Sequence, residues 1–181
     1  MSTRRVLRGI PALAVIVAAA AAVNAAPASA DPWLNTPGPD NREVTYCWGN
    51  AFADRPGLKD AAHYAMQNLQ GQTSFTRNFM ADCTSNTDIV FRVTNDPGLR
   101  GAYQCVRVTD AGRCQQANIW MNPDNLANDL NRNKTACHEV GHYGRLVHHD
   151  PPYGDCMVSG HITSGHQHYN DHHVWHLNQP L

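Results

Sequence analysis

One stretch of this chain concentrates residues that could hold a metal ion and move a proton: residues 137–149, CHEVGHYGRLVHH. His138 and His142 stand four residues apart. On an α-helix that spacing stacks two side chains on one face, roughly 5–6 Å apart at Cβ. Two imidazoles so placed can share one ion, and zinc takes ligand nitrogens at about 2.0–2.1 Å. Glu139 would sit beside such an ion rather than on it, where a carboxylate can accept a proton from an activated water. A hydrolytic zinc site needs a third protein ligand. His148 lies six residues past His142 and completes H-E-x-x-H-x-x-x-x-x-H. Met157 follows in Asp155-Cys156-Met157-Val158-Ser159-Gly160. HEVGH alone is short, and its plain alternative is a helix carrying two solvated histidines. The third histidine and the downstream methionine favour the metal reading.

Residues 135–160 resemble the metzincin clan of zinc proteases, and within it most the small secreted bacterial proteases of the snapalysin type. The offset from His142 to His148 is the clan's spacing, and Met157 suits the Met-turn, an apolar floor under the metal. Cys137 and Cys156 stand where that family carries cysteines, directly before the first histidine and just before the Met-turn. Over Asp31 to Asn133 the likeness is architectural only. Two departures stand out. The family has glycine three residues after the second histidine, where Arg145 stands, and the nearest glycine is Gly144. A turn starting at Gly144 would shift the register by one and bring in His149 instead of His148. Snapalysin-like enzymes also use Asp as third ligand; here that position is His148, with Asp150 a weaker substitute.

The resemblance implies a zinc-dependent endopeptidase of one catalytic zinc, with ligands His138, His142 and His148 and Glu139 as general base. It also implies a polypeptide substrate lying as an added strand on a sheet edge, taken here as Ala117 to Met121. Two readings of other classes stay open: a zinc-binding extracellular protein without peptidase activity, and a metallohydrolase of non-peptide amides such as cell-wall material. A gluzincin is excluded, because it takes a downstream glutamate as ligand and the only glutamates are Glu43 and Glu139. No calcium site is legible. Tyr143, Tyr153 and Tyr169 could polarise a substrate carbonyl, with core or rim packing the plainer reading of each. His161, His166, His168, His172, His173 and His176 crowd the last third and read mainly as surface or packing residues, as Trp120 and Trp175 read as core or rim.

The elements that must position this site follow from periodicity. Glu43 to Trp48 reads as a strand. Lys59 to Leu69 reads as a helix with Ala62, Ala65, Met66 and Leu69 on one face. Asp88 to Thr94 is the clearest strand, rich in β-branched and aromatic residues. Ala102 to Thr109 and Ala117 to Met121 read as strands around the Gly112 turn. The motif helix starts after Asn131 and ends near Tyr143, and a last helix covers about Asn170 to Leu177. Residues 31–41, DPWLNTPGPDN, form an irregular lead-in. The fold class is α+β, helices on a mixed sheet, and the resemblance adds a metzincin-like active-site helix, Met-turn and C-terminal helix.

The ends and composition set the setting. Arg4, Arg5 and Arg8 precede the apolar run Ile10 to Val23, and Ala28-Ser29-Ala30 is a small-x-small cleavage site. Residues 1–30 therefore read as a signal peptide, the run being shorter than the roughly 20 residues of a bilayer span. Arg4-Arg5 raises the twin-arginine route, but the residues after the pair match it poorly, which favours the general pathway. Residues 31–181 read as one secreted, monomeric domain. Removing those three arginines leaves 11 basic against 15 acidic residues, a net charge of −4. That argues against a nucleic-acid footprint. Six cysteines in an exported chain read as three disulfides, with fifteen possible pairings. The favoured pairing is Cys105–Cys114 across the Gly112 hairpin, Cys137–Cys156 as in the family, and Cys47–Cys83 as the remaining pair.

Overall fold

The computed structural model describes residues 36–149, 154–165 and 167–181. Residues 1–35, which include the expected signal peptide, and Asp150, Tyr153 and His166 lie outside the described residues. The compact unit spans Asp31–Leu181. Its elements are β1 (Glu43–Trp48), α1 (Asn50–Ala53), α2 (Pro56–Gln72), β2 (Thr76–Phe79), β3 (Ile89–Val93), β4 (Gly101–Val108), β5 (Cys114–Met121), α3 (Asp129–Tyr143) and α4 (Asp171–Leu177).

The five strands form one mixed sheet in the order β2-β1-β3-β5-β4. All neighbours are parallel except β4 and β5, which run antiparallel. Alternate residues of the inner strands, Val44 and Tyr46, Ile89 and Phe91, Ala117, Ile119 and Met121, are buried and join one core. Period-two alternation turns these side chains to a common face. The core also takes Leu58, Ala62, Ala65, Met66 and Leu69 of α2 and Ala136, Val140 and Tyr143 of α3. The result is an α+β layering with a mostly parallel sheet.

Several expectations shift. Ala117 to Met121 is not a sheet edge: β5 pairs with β3 on one side and β4 on the other. The turn at Gly112, whose φ is +77°, folds β4 back outside β5, so β4 is the edge. Helix α3 starts at Asp129, before the expected point, because Asn128 caps it by accepting from Asn131 N–H at 2.9 Å. Strand β2 escapes pattern reading since its residues TRNF are mostly exposed and carry no apolar alternation. Trp175 is 56 % exposed, at the rim rather than in the core. The disulfides are Cys47–Cys83, Cys105–Cys114 and Cys137–Cys156, the pairing read from the sequence.

Candidate metal centre

Helix α3 carries His138, Glu139 and His142 on the side that faces a cleft of about 1170 Å³ between the helix and the start of β4. Each histidine is fixed by its far nitrogen. His138 Nδ1 lies 2.8 Å from the Cys156 carbonyl oxygen and His142 Nδ1 lies 2.8 Å from that of Leu146. A carbonyl only accepts, so both Nδ1 atoms carry the proton and both Nε2 atoms present lone pairs. This is the arrangement in which outer hydrogen bonds orient metal-binding histidines.

His148 supplies the third nitrogen. Its Nε2 is 2.9 Å from His138 Nε2 and 3.0 Å from His142 Nε2. Bonds of about 2.0–2.1 Å at tetrahedral angles would put ligand nitrogens about 3.3 Å apart. With two lone pairs fixed, a single proton on His148 can satisfy only one of the two contacts. Protonating the others is disfavoured. Burial first, then the charges of His142 and Lys134, hold His138 well below the usual histidine range against the bond to Cys156. Burial holds His142 at about 4, opposed by its bond to Leu146. Burial, then Lys134 and His149, lower His148. Three neutral nitrogens converging on one point fit a divalent cation, so the group His138, His142 and His148 can hold a metal ion.

How the chain reaches His148 depends on Arg145. Arg145 N–H bonds the His142 carbonyl at 2.9 Å and Leu146 N–H bonds the Gly141 carbonyl at 3.0 Å. This is a Schellman stop, which needs a left-handed residue just past the cap. Arg145 provides it with φ +69° and is the one non-glycine residue with positive φ among the described residues. The turn therefore does not start at Gly144, and the register does not shift. His149 points the other way, with Nε2 donating to Asp155 Oδ1 at 2.8 Å. Neighbours on extended backbone face opposite sides.

Met157 is fully buried. Its thioether fills the space that a side chain at Gly141 would take, between the two helical histidines. Cys156 binds the same region twice, through its bridge to Cys137 and its carbonyl on His138. Asp155, 1 % exposed, was not singled out from the sequence although it stands two residues before Met157. It accepts from His149, from Met157 N–H at 2.8 Å and from His173 Nδ1 at 2.5 Å, tying the third-ligand segment, the methionine turn and α4 together. Burial pushes its carboxyl up, but the His173 bond and nearby imidazoles outweigh it, and the net position is below the usual range.

Glu139 is 6 % exposed and lines the cleft. Burial raises its carboxyl to about 8, with the Lys134 charge opposing. It fits there because Gly101 of β4 has no side chain: a Cβ would lie 2.7 Å from Glu139 Oε1 and 2.7 Å from Thr135 Cγ2. Tyr143 and Tyr169 do not line the cleft. Tyr143 is buried beside Tyr103, and Tyr169 donates its hydroxyl to the Cys137 carbonyl at 2.9 Å. Both are core residues. The chain matches no protein-family model and no curated protein. The site must therefore be read from its own geometry. Among the described residues no helix is long and apolar enough to cross a membrane.

Proposed function

We propose that this chain is a secreted zinc-dependent endopeptidase of the metzincin type. The observation that carries the reading is the convergence of His148 Nε2 to within 3.0 Å of both helical histidine nitrogens, at the six-residue offset from His142. The thioether of Met157 against Gly141 supports the same reading.

His138, His142 and His148 would hold the ion, and the Nδ1 bonds to Cys156 and Leu146 would keep the Nε2 lone pairs of His138 and His142 aimed at it. Bound zinc supplies a Lewis acid that polarises a carbonyl oxygen and makes water nucleophilic near neutral pH. Glu139 takes a proton from the attacking water onto a carboxylate oxygen and returns it to the departing amine nitrogen. Desolvation in the cleft suits it to this exchange, because a carboxyl raised toward neutrality holds a proton as readily as it gives one up. The substrate backbone adds to the outer edge of β4, whose Gly101, Ala102 and Tyr103 line the cleft. The export signal at residues 1–30 and the three disulfides fit action outside the cell.

The test is casein hydrolysis with and without chelator, run beside cell-wall material, with metal analysis of each protein. The expected result is chelator-sensitive casein cleavage that Glu139→Gln abolishes while near-stoichiometric zinc stays bound. Cleavage of cell-wall material alone, or bound zinc with no hydrolysis of either, overturns the peptidase reading.

A further inference from the structure

The cleft holds a second polar group that metal binding and proton transfer leave unused. Lys134 sits one helical turn before His138 on α3, so both side chains fall on one face. It is only 4 % exposed, yet it lines the cleft. Its ammonium has no ion pair within 4 Å among the described residues, and its nearest acid by electrostatic effect is Glu139. Glu139 is the group that must stay available for the reaction. The side chain is buried while the ammonium opens onto the cleft, and a partly desolvated ammonium without a partner is disfavoured. Burial correspondingly pulls it down to about 8, with Glu139 opposing and Arg100 adding repulsion.

Arg100 is that second cation. It stands just before β4 on the opposite wall of the cleft. Its backbone is pinned: Asn122 N–H bonds the Arg100 carbonyl at 2.8 Å, and Asn125 Nδ2 bonds the carbonyl of Leu99 at 2.7 Å. Its side chain is aimed too. Arg100 Nε donates to His161 Nε2 at 2.9 Å, which leaves the terminal guanidinium nitrogens as donors. His161 is itself positioned, because Asn131 Oδ1 accepts from the neighbouring Ile162 N–H at 3.1 Å. The buried Lys134 and the exposed Arg100, held by His161, thus share a cleft whose other acid, Asp124, is likewise exposed.

We propose that Lys134 and Arg100 form a subsite for a substrate carboxylate, making the enzyme selective for peptides with an acidic group beside the cleaved bond. A carboxylate there would satisfy the ammonium and take parallel bonds from the guanidinium. The carboxylate could be an Asp or Glu side chain or the C-terminus of a short peptide.

This inference rests on the peptidase reading, and the test separates the two. A set of quenched peptides carries Glu or Gln at each position in turn, with free or amidated C-termini. Cleavage is measured for the wild type, Lys134→Gln and Arg100→Gln. Binding of the same peptides to zinc-loaded Glu139→Gln protein is measured by calorimetry, alone and combined with Lys134→Gln. The expected result is one position, internal or C-terminal, where the carboxylate raises kcat/KM at least tenfold over its neutral counterpart. Each cation variant should reduce that preference to about threefold or less, with zinc content unchanged. The amidated arm assigns the source of the carboxylate. Cleavage with no carboxylate preference at any position overturns the subsite and leaves the peptidase standing. So does an equal loss on acidic and neutral peptides in Lys134→Gln. Carboxylate-selective binding that Lys134→Gln removes, without cleavage of any peptide, keeps the subsite and overturns the peptidase.

Discussion

Glu139→Gln should stabilise the metal-free protein, and by an amount that grows with pH. The Glu139 carboxyl is raised from 4.5 to about 8, mainly by burial. A group raised on folding contributes stability that is fully present below its unfolded value and lost as pH rises through its folded value. Between those limits the loss is about 1.4 kcal/mol per pH unit. From pH 5 to 7.5 the wild type should therefore lose about 3 kcal/mol that the amide does not. Lys134 works in the opposite sense but outside that window. Its folded value of about 8 lies below the ordinary 10.5, so its contribution is already lost below 8 and stays constant. Groups that do not interact with Glu139 cancel in the difference. Urea unfolding in chelator, with disulfides intact, measures it for both proteins at several pH values. A wild-type-minus-variant difference that stays flat within about 0.5 kcal/mol would refute the claim that this carboxyl is desolvated.

Three further outcomes follow from the same geometry. His148→Ala should weaken zinc binding by orders of magnitude in a competition titration, while His149→Ala should weaken it far less, because His149 bonds Asp155 and not the ion site. Replacing Cys137 and Cys156 by serine opens a loop with sequence separation 19, which should lower stability by about 3 kcal/mol in denaturant unfolding on the chain-entropy account. Gly101→Ala puts a methyl where Glu139 Oε1 and Thr135 Cγ2 stand; casein hydrolysis should fall at least tenfold with zinc content retained, and unchanged hydrolysis would show that Glu139 has room to spare.

Much of the site was legible because its parts are local. His138, Glu139 and His142 share one helix, so spacing alone sets their faces. His148 was legible by its offset, but the choice against His149 was not, because it turns on the φ of one residue. A stop that ordinarily calls for glycine is made here by Arg145, at a backbone cost of roughly 1–2 kcal/mol. Asp155 and Lys134 were missed for another reason. What marks them is burial without apolar character, which only the packed chain exhibits, although Lys134 lies at the same four-residue interval before His138 that His142 lies after it. The edge strand was misassigned because sequence order does not reveal that the Gly112 hairpin folds outward. Strand β2 is held by pairing to β1 rather than by a pattern of its own.

The double role of Cys156 links the site to its surroundings. One residue carries the bridge to Cys137 and the carbonyl that sets the tautomer of His138. Formation of the cysteine bridge and the orientation of the His138 ring therefore depend on the same residue. A newly made chain in a reducing compartment has the motif but lacks the clamp that brings residue 156 to the helix. The same chain gains the clamp when it meets oxidant. Under the proposed function, redox environment would act as a timer, holding back the metal site while the pair is reduced and completing it once Cys137 and Cys156 are joined. The timer would be read as metal uptake that lags behind synthesis and starts with disulfide formation.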